Sequence, residues 1–224
     1  MATHPLIDHF FAELIAGRRA SVASMIRKLI AADCPADKVM SSLIWPTLSH
    51  IQQLHHADQL SDLSHRYATR ILRCAVDQLQ MKLIAEPALG CKALVVSGPD
   101  AGQEIGAQIL AHLLEASGFE VYFPGGAAPD EELTTHLCQL KPNVLAIFGQ
   151  MAKSLPQTRQ MIDTIRKTES CAGVRIALGG GVFGRAEGLA QELGADLYAH
   201  DPYRMHRWIL KEFTTQDRQS RNAA

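Results

Sequence analysis

The sequence predicts an α/β protein in which a five-stranded parallel sheet is preceded by an N-terminal four-helix bundle. Three observations carry that prediction. The first 84 residues repeat apolar side chains at helical spacing and show almost no strand pattern. After Ala85-Glu86-Pro87-Ala88-Leu89-Gly90, short apolar runs alternate with helical stretches five times over, as parallel strands covered on both faces require. The 224 residues are 47% apolar and 20% charged, enough for a packed core and too hydrophobic for disorder.

The helices follow in order. Leu6, Ile7, Phe10, Phe11, Leu14 and Ile15 form a stripe that stops at Gly17. Val22, Met25, Ile26, Leu29 and Ile30 form a second, which ends at Asp33-Cys34-Pro35. Val39, Leu43, Ile44, Leu48, Ile51 and Leu54 form a third, with Pro46 inside it as a kink or boundary. Leu60, Leu63, Tyr67, Ile71, Cys74, Leu79 and Leu83 form the fourth. Four amphipathic helices with short connections pack most simply as an antiparallel bundle, placed here at 1–86. Strands are expected at 93–97, 119–123, 144–148, 174–178 and 196–199. Helices are expected at 104–117, 129–140, 155–168, 185–193 and 203–213, with Asp201-Pro202 as cap and first residue of the last. Residues 87–213 make one flavodoxin-like unit with strand order 2-1-3-4-5, and the polar segment 214–224 reads as a flexible tail.

Composition excludes several classes. Lys and Arg number 22 against 23 Asp and Glu, a net charge of −1. No cationic surplus supports direct nucleic-acid binding. No apolar run approaches the roughly 20 residues that span a bilayer, and residues 1–11 lack an export pattern. The five cysteines, at 34, 74, 91, 138 and 171, form no C-x-x-C. They read as reduced, mostly buried thiols of a cytoplasmic protein.

In a doubly wound sheet, ligands sit at the carboxyl ends of the strands near the switch in strand order. That directs attention to the loops 98–104, 149–154 and 179–184. The first has no Lys for a phosphate-binding Walker loop, and Gly98, Gly102 and Gly106 are spaced by four, which is not G-x-G-x-x-G. The third strand ends in Phe148-Gly149-Gln150 rather than in the Asp of a phosphoacceptor. Gly179-Gly180-Gly181 removes every side chain where something flat or bulky could lie on the backbone. No catalytic constellation competes: G-x-S-x-G is absent around Ser97 and Ser154, and Asp100 with Glu104 reads as helix N-terminal charge.

Helical segment and α/β segment together resemble the cobalamin-binding module family, a four-helix cap joined to a flavodoxin-like domain, over nearly all of residues 1–213. In that family D-x-H-x-x-G follows the first strand and its His is the lower axial ligand of cobalt. An S-x-L or S-x-T follows the third strand, and a Gly-Gly pair after the fourth flanks the nucleotide tail. Here the first motif falls on 101–106, where only Gly106 matches; Gln103 holds the ligand position and Ala101 that of the Asp. The second falls on Phe148-Gly149-Gln150, without its serine, although Ser154 lies downstream; the third matches at Gly179-Gly180. The resemblance therefore implies a cofactor site of Gly102, Gln103, Gly106, Gly149, Gln150, Ser154, Gly179, Gly180 and Gly181. A neutral amide is a poor cobalt donor beside an imidazole tuned by a carboxylate, so the lower face is not expected to be held by Gln103.

His50, His55, His56 and His65 gather near the junction of the third and fourth helices. In the light-sensing cobalamin-dependent repressors the cap carries a W-H pair and then an E-H pair. Counted from Pro46, His55-His56 fall on the W-H pair, and Ser64-His65-Arg66 on the later one. The resemblance thus adds Trp45 and His55 to the cofactor site and makes His56 the metal ligand from above, with the ligand expected between cap and α/β domain. Those repressors carry a basic helix-turn-helix before the cap, which is not expected here. The resulting expectation is a tetrapyrrole-binding sensor, cobalamin first and haem or a bilin second, that signals to a partner protein and is compatible with a homo-oligomer. The alternative is a corrinoid methyl-carrier subunit acting with a methyltransferase.

Overall fold

The computed structural model describes residues 5–126, 130–169, 171, 173–183 and 188–222. It divides into two compact units, 1–84 and 85–224.

The first unit holds α1 (Pro5–Ile15), α2 (Arg19–Ala31), a third helix in two parts, α3 (Ala36–Val39) and α4 (Trp45–His56), and α5 (Asp62–Gln80). Between α3 and α4 the chain makes one wide turn, Met40–Ile44, without leaving the helix. Pro46 explains it. Its ring would strike the carbonyl one turn back and it has no N–H to donate, and a wide turn accommodates both. Pro46 therefore marks the boundary between the wide turn and α4 without ending the helix. Phe10, Leu14, Val22, Ile26, Met40, Ile44, Leu48, Ile51, Leu72 and Val76 fill the core. The fourth stripe is met in part. Ile71 and Leu79 are buried as expected, but Leu63, Tyr67 and Cys74 are exposed, and α5 also buries His65, Ala68, Thr69, Leu72, Ala75 and Val76. Polar His65 and Thr69 take core positions because Gln52 Nε2 lies 3.3 Å from His65 Nε2, and the Thr69 hydroxyl donates to the His65 carbonyl. At the α1–α2 turn, Arg18 pairs with Glu13 at 2.6 Å and holds that carboxyl down at about 2.

The second unit is the expected sheet. Its strands are β1 (Lys92–Ser97), β2 (Glu120–Tyr122), β3 (Val144–Phe148), β4 (Arg175–Gly179) and β5 (Leu197–Ala199). All pairs are parallel, in the order β2-β1-β3-β4-β5. Every residue of β3 is buried, the signature of a strand covered on both faces. Between the strands run α6 (Ala101–Ala116), α7 (Asp130–Leu140), α8 (Leu155–Lys167) and α9 (Leu189–Glu192), and α10 (Pro202–Asn222) closes the unit. α6 begins three residues earlier than its apolar pattern, because Asp100 caps it by accepting from the N–H groups of Gly102 and Gln103. Positions 129 and 185–187, where two expected helices begin, lie outside the described residues. α10 continues through Asn222, past the end expected at 213. No Gly or Pro follows Phe213 to stop it, and the Thr214 hydroxyl is absorbed by the Leu210 carbonyl. Of the five cysteines only Cys171 is buried; Cys74 is exposed and Cys34, Cys91 and Cys138 are half-buried, because they sit at element ends or on outer helix faces. Among the described residues no helix is long and apolar enough to cross a membrane.

Two polar devices fix the outer elements. Asp196, before β5, accepts from Ile176 N–H at 2.7 Å and meets Arg166 at 2.6 Å and Arg175 at 3.2 Å. Burial pushes its carboxyl up, but the backbone N–H and the two guanidinium groups outweigh this and hold it below the usual range. On α10, His206 Nε2 lies 2.8 Å from the Ser117 hydroxyl. Burial, assisted by the neighbouring Arg207 charge, depresses the His206 pKa to about 4.

The folded imidazole is thus neutral where the unfolded one, at 6.5, would already bind a proton. Stability from this residue is full above about pH 6.5 and is lost as pH falls toward about 4, on the order of 1–3 kcal/mol in all. Urea unfolding across that window should show the loss, and His206→Gln should flatten it.

Candidate functional site

The register of the three central strands builds the site. Ser97 pairs with Phe148, and Phe148 with Gly179, so β1, β3 and β4 end level with one another. The ladder runs one residue further, with Gly98 N–H donating to Phe148 O at 3.1 Å and Gly149 N–H to Gly179 O at 2.7 Å. The loops then close on each other, because Val182 N–H donates to Gln150 O at 2.9 Å. Gln103, on the first turn of α6, reaches across this edge, and its Oε1 accepts from Gly181 N–H at 3.0 Å.

Two glycines make that closure possible. Gly149 has φ +80°, and a Cβ there would press into the Cβ of Gln103. Gly180 has φ +62°, and a Cβ there would lie 2.6 Å from the Phe148 ring and 2.9 Å from Gln103 Oε1. Both backbones adopt the left-handed region that favours glycine. The space beside Gly180 is thus filled by protein, where a steric argument from the sequence alone would have left it to a ligand.

The structure therefore brings together Gln103, Gly149, Gln150, Gly179, Gly180 and Gly181. Gly102 and Gly106 lie buried on α6 behind them. Ser154 is half-buried at the start of α8, its carbonyl accepting from the Thr158 hydroxyl. Three expected site residues belong to the helical unit. Trp45 is half-buried at the head of α4. His55 stacks on His65 with ring centroids 4.0 Å apart and 8° between planes, and its Nε2 meets Asp62 at 2.9 Å. That bond lowers the Asp62 pKa. His56 is exposed on the last turn of α4. The described residues contain no group of three or more His, Cys, Asp or Glu that could hold a metal ion by themselves.

Sequence reasoning passed over Ser97 except as a rejected nucleophile. Its hydroxyl is buried at the end of β1 without a hydrogen-bond partner among the described residues. It faces Gly126, where a Cβ would lie 3.3 Å from Ser97 Oγ and 3.5 Å from Glu104 Oε2. A serine closing an otherwise apolar strand, directly before a glycine, was the available signal.

An open α/β sheet with glycine-knit loops at its carboxyl edge defines a ligand-binding module. Comparison with known proteins gives the class of ligand. Residues 91–204 match the family model of the B12 binding domain, and the chain belongs to that family. Dimethylamine corrinoid protein 2 of Methanosarcina mazei is 23% identical over 204 residues, covering 90% of this chain and 94% of that protein. Dimethylamine corrinoid protein 1 of Methanosarcina acetivorans is 26% identical over 110 residues, 48% of this chain and 51% of its own. The monomethylamine corrinoid protein of Methanosarcina barkeri superposes with a TM-score of 0.76 at 16% identity, covering 91% of this chain and 96% of that one, and shares the fold. The cofactor is a corrinoid, ahead of the haem and bilin also considered.

The residues present fit a corrinoid in one respect and not in another. The carboxyl edge offers side-chain-free backbone and an orphaned buried hydroxyl at Ser97. Gln103, which the resemblance sets at the axial-ligand position, offers no ready donor: its amide oxygen accepts from Gly181 N–H, and an amide is a weak partner for cobalt beside an imidazole. Gln103 ties loops.

Gly149→Ala should be costly on both counts, with a left-handed backbone and a collision with Gln103. We expect a loss of about 1–3 kcal/mol in thermal or denaturant unfolding. An unchanged midpoint would mean that the loop has other ways to close.

Proposed function

We propose that the chain is a corrinoid methyl carrier that works with a methyltransferase. The observation that supports this best is the end-to-end match to a dimethylamine corrinoid protein, which runs through both units rather than through the B12-binding region alone. When bound, the corrinoid supplies a cobalt centre that accepts and gives up a methyl group. The chain's own residues bind and orient it. The backbone at Gly149-Gln150 and Gly181 receives it at the carboxyl edge, Ser97 offers its unused hydroxyl, and Gln103 keeps the receiving loops in place. His56 is proposed as the metal donor from the helical unit, since it is exposed while His55 is engaged by His65 and Asp62.

A second reading, a corrinoid-dependent sensor acting on a partner protein, draws support from one observation. The amide at 103 cannot tune cobalt reactivity as an imidazole would, and a carrier loses more by that exchange than a sensor does.

The two readings separate by chemistry. The protein is loaded with hydroxocobalamin, reduced anaerobically, and given mono-, di- and trimethylamine with methylamine methyltransferases. A carrier develops the methylcobalamin absorption spectrum with at least one of them. Protein that binds cobalamin and never methylates would overturn the carrier reading.

The roles assigned to Gln103 and His56 predict opposite signatures. Gln103→Ala should weaken cobalamin binding several-fold, by loosening the loop after β4, and leave the bound absorption bands where they are. His56→Ala should move the bands of bound aquocobalamin. Bands shifted by the Gln103 variant and untouched by the His56 variant would reverse the assignment.

A further inference from the structure

Cys138 and Cys171 are 33 residues apart in sequence, yet their sulfur atoms lie 2.6 Å apart, against about 2.0 Å for a formed disulfide. We infer that this pair is a redox-modification site, a dithiol that a low-molecular-weight disulfide converts into an intramolecular cystine joining α7 to the loop between α8 and β4. Both ends are held. Cys138 is on the last turn of α7, and Cys171 sits between two turn bonds, donating its N–H to Thr168 O and accepting from Val174 N–H. Cys171 is 2% exposed within the core of the sheet unit, while Cys138 is half-buried at its margin.

That difference in access orders the steps. The Cys138 thiolate attacks one sulfur of the oxidant's S–S bond, forming a mixed disulfide and expelling one thiolate. Cys171 then attacks Cys138 Sγ, the mixed disulfide breaks, and the second thiolate leaves. Two cysteine thiols are oxidised to one disulfide, the oxidant is reduced to two thiols, and the two cysteine protons go to those thiolates. The bond closes a loop spanning 33 residues of sequence, long enough for a cross-link to restrict the unfolded chain.

Its position separates it from ligand binding. Cys138 precedes β3 by six residues and Cys171 precedes β4 by four, so both lie by the amino edge of the sheet. Gly149 and Gly181 follow the other ends of those strands.

The test incubates the full chain with oxidised glutathione under native conditions, then counts thiols after unfolding and maps peptides by mass spectrometry. Exposed Cys74 serves as the internal control of reaction. We expect a linked Cys138–Cys171 peptide, a higher unfolding temperature than the reduced protein, and unchanged affinity for cobalamin. Cys171→Ser should stop at a glutathione adduct on Cys138, and Cys138→Ser should leave Cys171 unmodified. If glutathione modifies Cys74 and the wild-type protein yields no 138–171 link, or only an adduct on Cys138, the inference is overturned. The wild-type peptide map decides this even if a serine variant fails to fold.

Discussion

The level ends of β1, β3 and β4 are the constraint on which the site depends. Ser97, Phe148 and Gly179 stand side by side across three parallel strands, so the loops that follow leave the sheet in one plane and must share the same narrow space. Backbone alone fits there. Each loop answers with glycine, and backbone amides and carbonyls of one loop satisfy those of the next. A register shift of one residue would exchange the side chains of the two packed faces and separate the loops as well, so the packing of β3 on both faces and the geometry of the carboxyl edge are one requirement.

Local pattern reveals the elements: the change from helical to alternating periodicity after residue 84 follows from short-range regularities, and so does the Asp201 cap, whose side chain accepts from the N–H three residues onward. The strand order comes with the flavodoxin-like template rather than from local pattern, and the Asp100 cap, which sets the start of α6, is not visible in the apolar repeat. What pattern could not reveal rests on contacts distant in sequence. The apolar stripe gives only part of the buried face of α5, because His65 and Thr69 hold core positions through hydrogen bonds to Gln52 and to backbone, which an apolar count discards. The three glycines were recognised as a site, but their partner was not. Gln103 meets Gly181 across 78 residues, and the orphaned hydroxyl of Ser97 becomes evident only when the burial of its strand end is known.

The amide at position 103, where the family resemblance sets an imidazole, has a structural role of its own. An imidazole held for metal must keep one nitrogen free and have the other oriented by an acceptor, which the family places two residues earlier and which is Ala101 here. The amide needs no such support. Its oxygen accepts from Gly181, and its aliphatic stem packs where Gly149 lacks a Cβ. With the side chain at 103 turned to the β4 loop, an orienting acceptor at 101 would have nothing to orient.

The sheet consequently has two edges of different character. By the amino edge, charges and sulfur lock elements together: Asp196 gathers Arg166, Arg175 and the Ile176 N–H, Arg175 extends the network to Glu212 on α10, and Cys138 meets Cys171 nearby. At the carboxyl edge the loops are tied by backbone hydrogen bonds and by the neutral amide of Gln103. That division suits a binding module. Strong, partly desolvated charge at the carboxyl edge would have to be uncovered or re-paired each time a large ligand arrived, whereas neutral backbone can exchange water for ligand with little electrostatic penalty. Charge-paired ties gather by the amino edge, and backbone and amide ties knit the carboxyl edge.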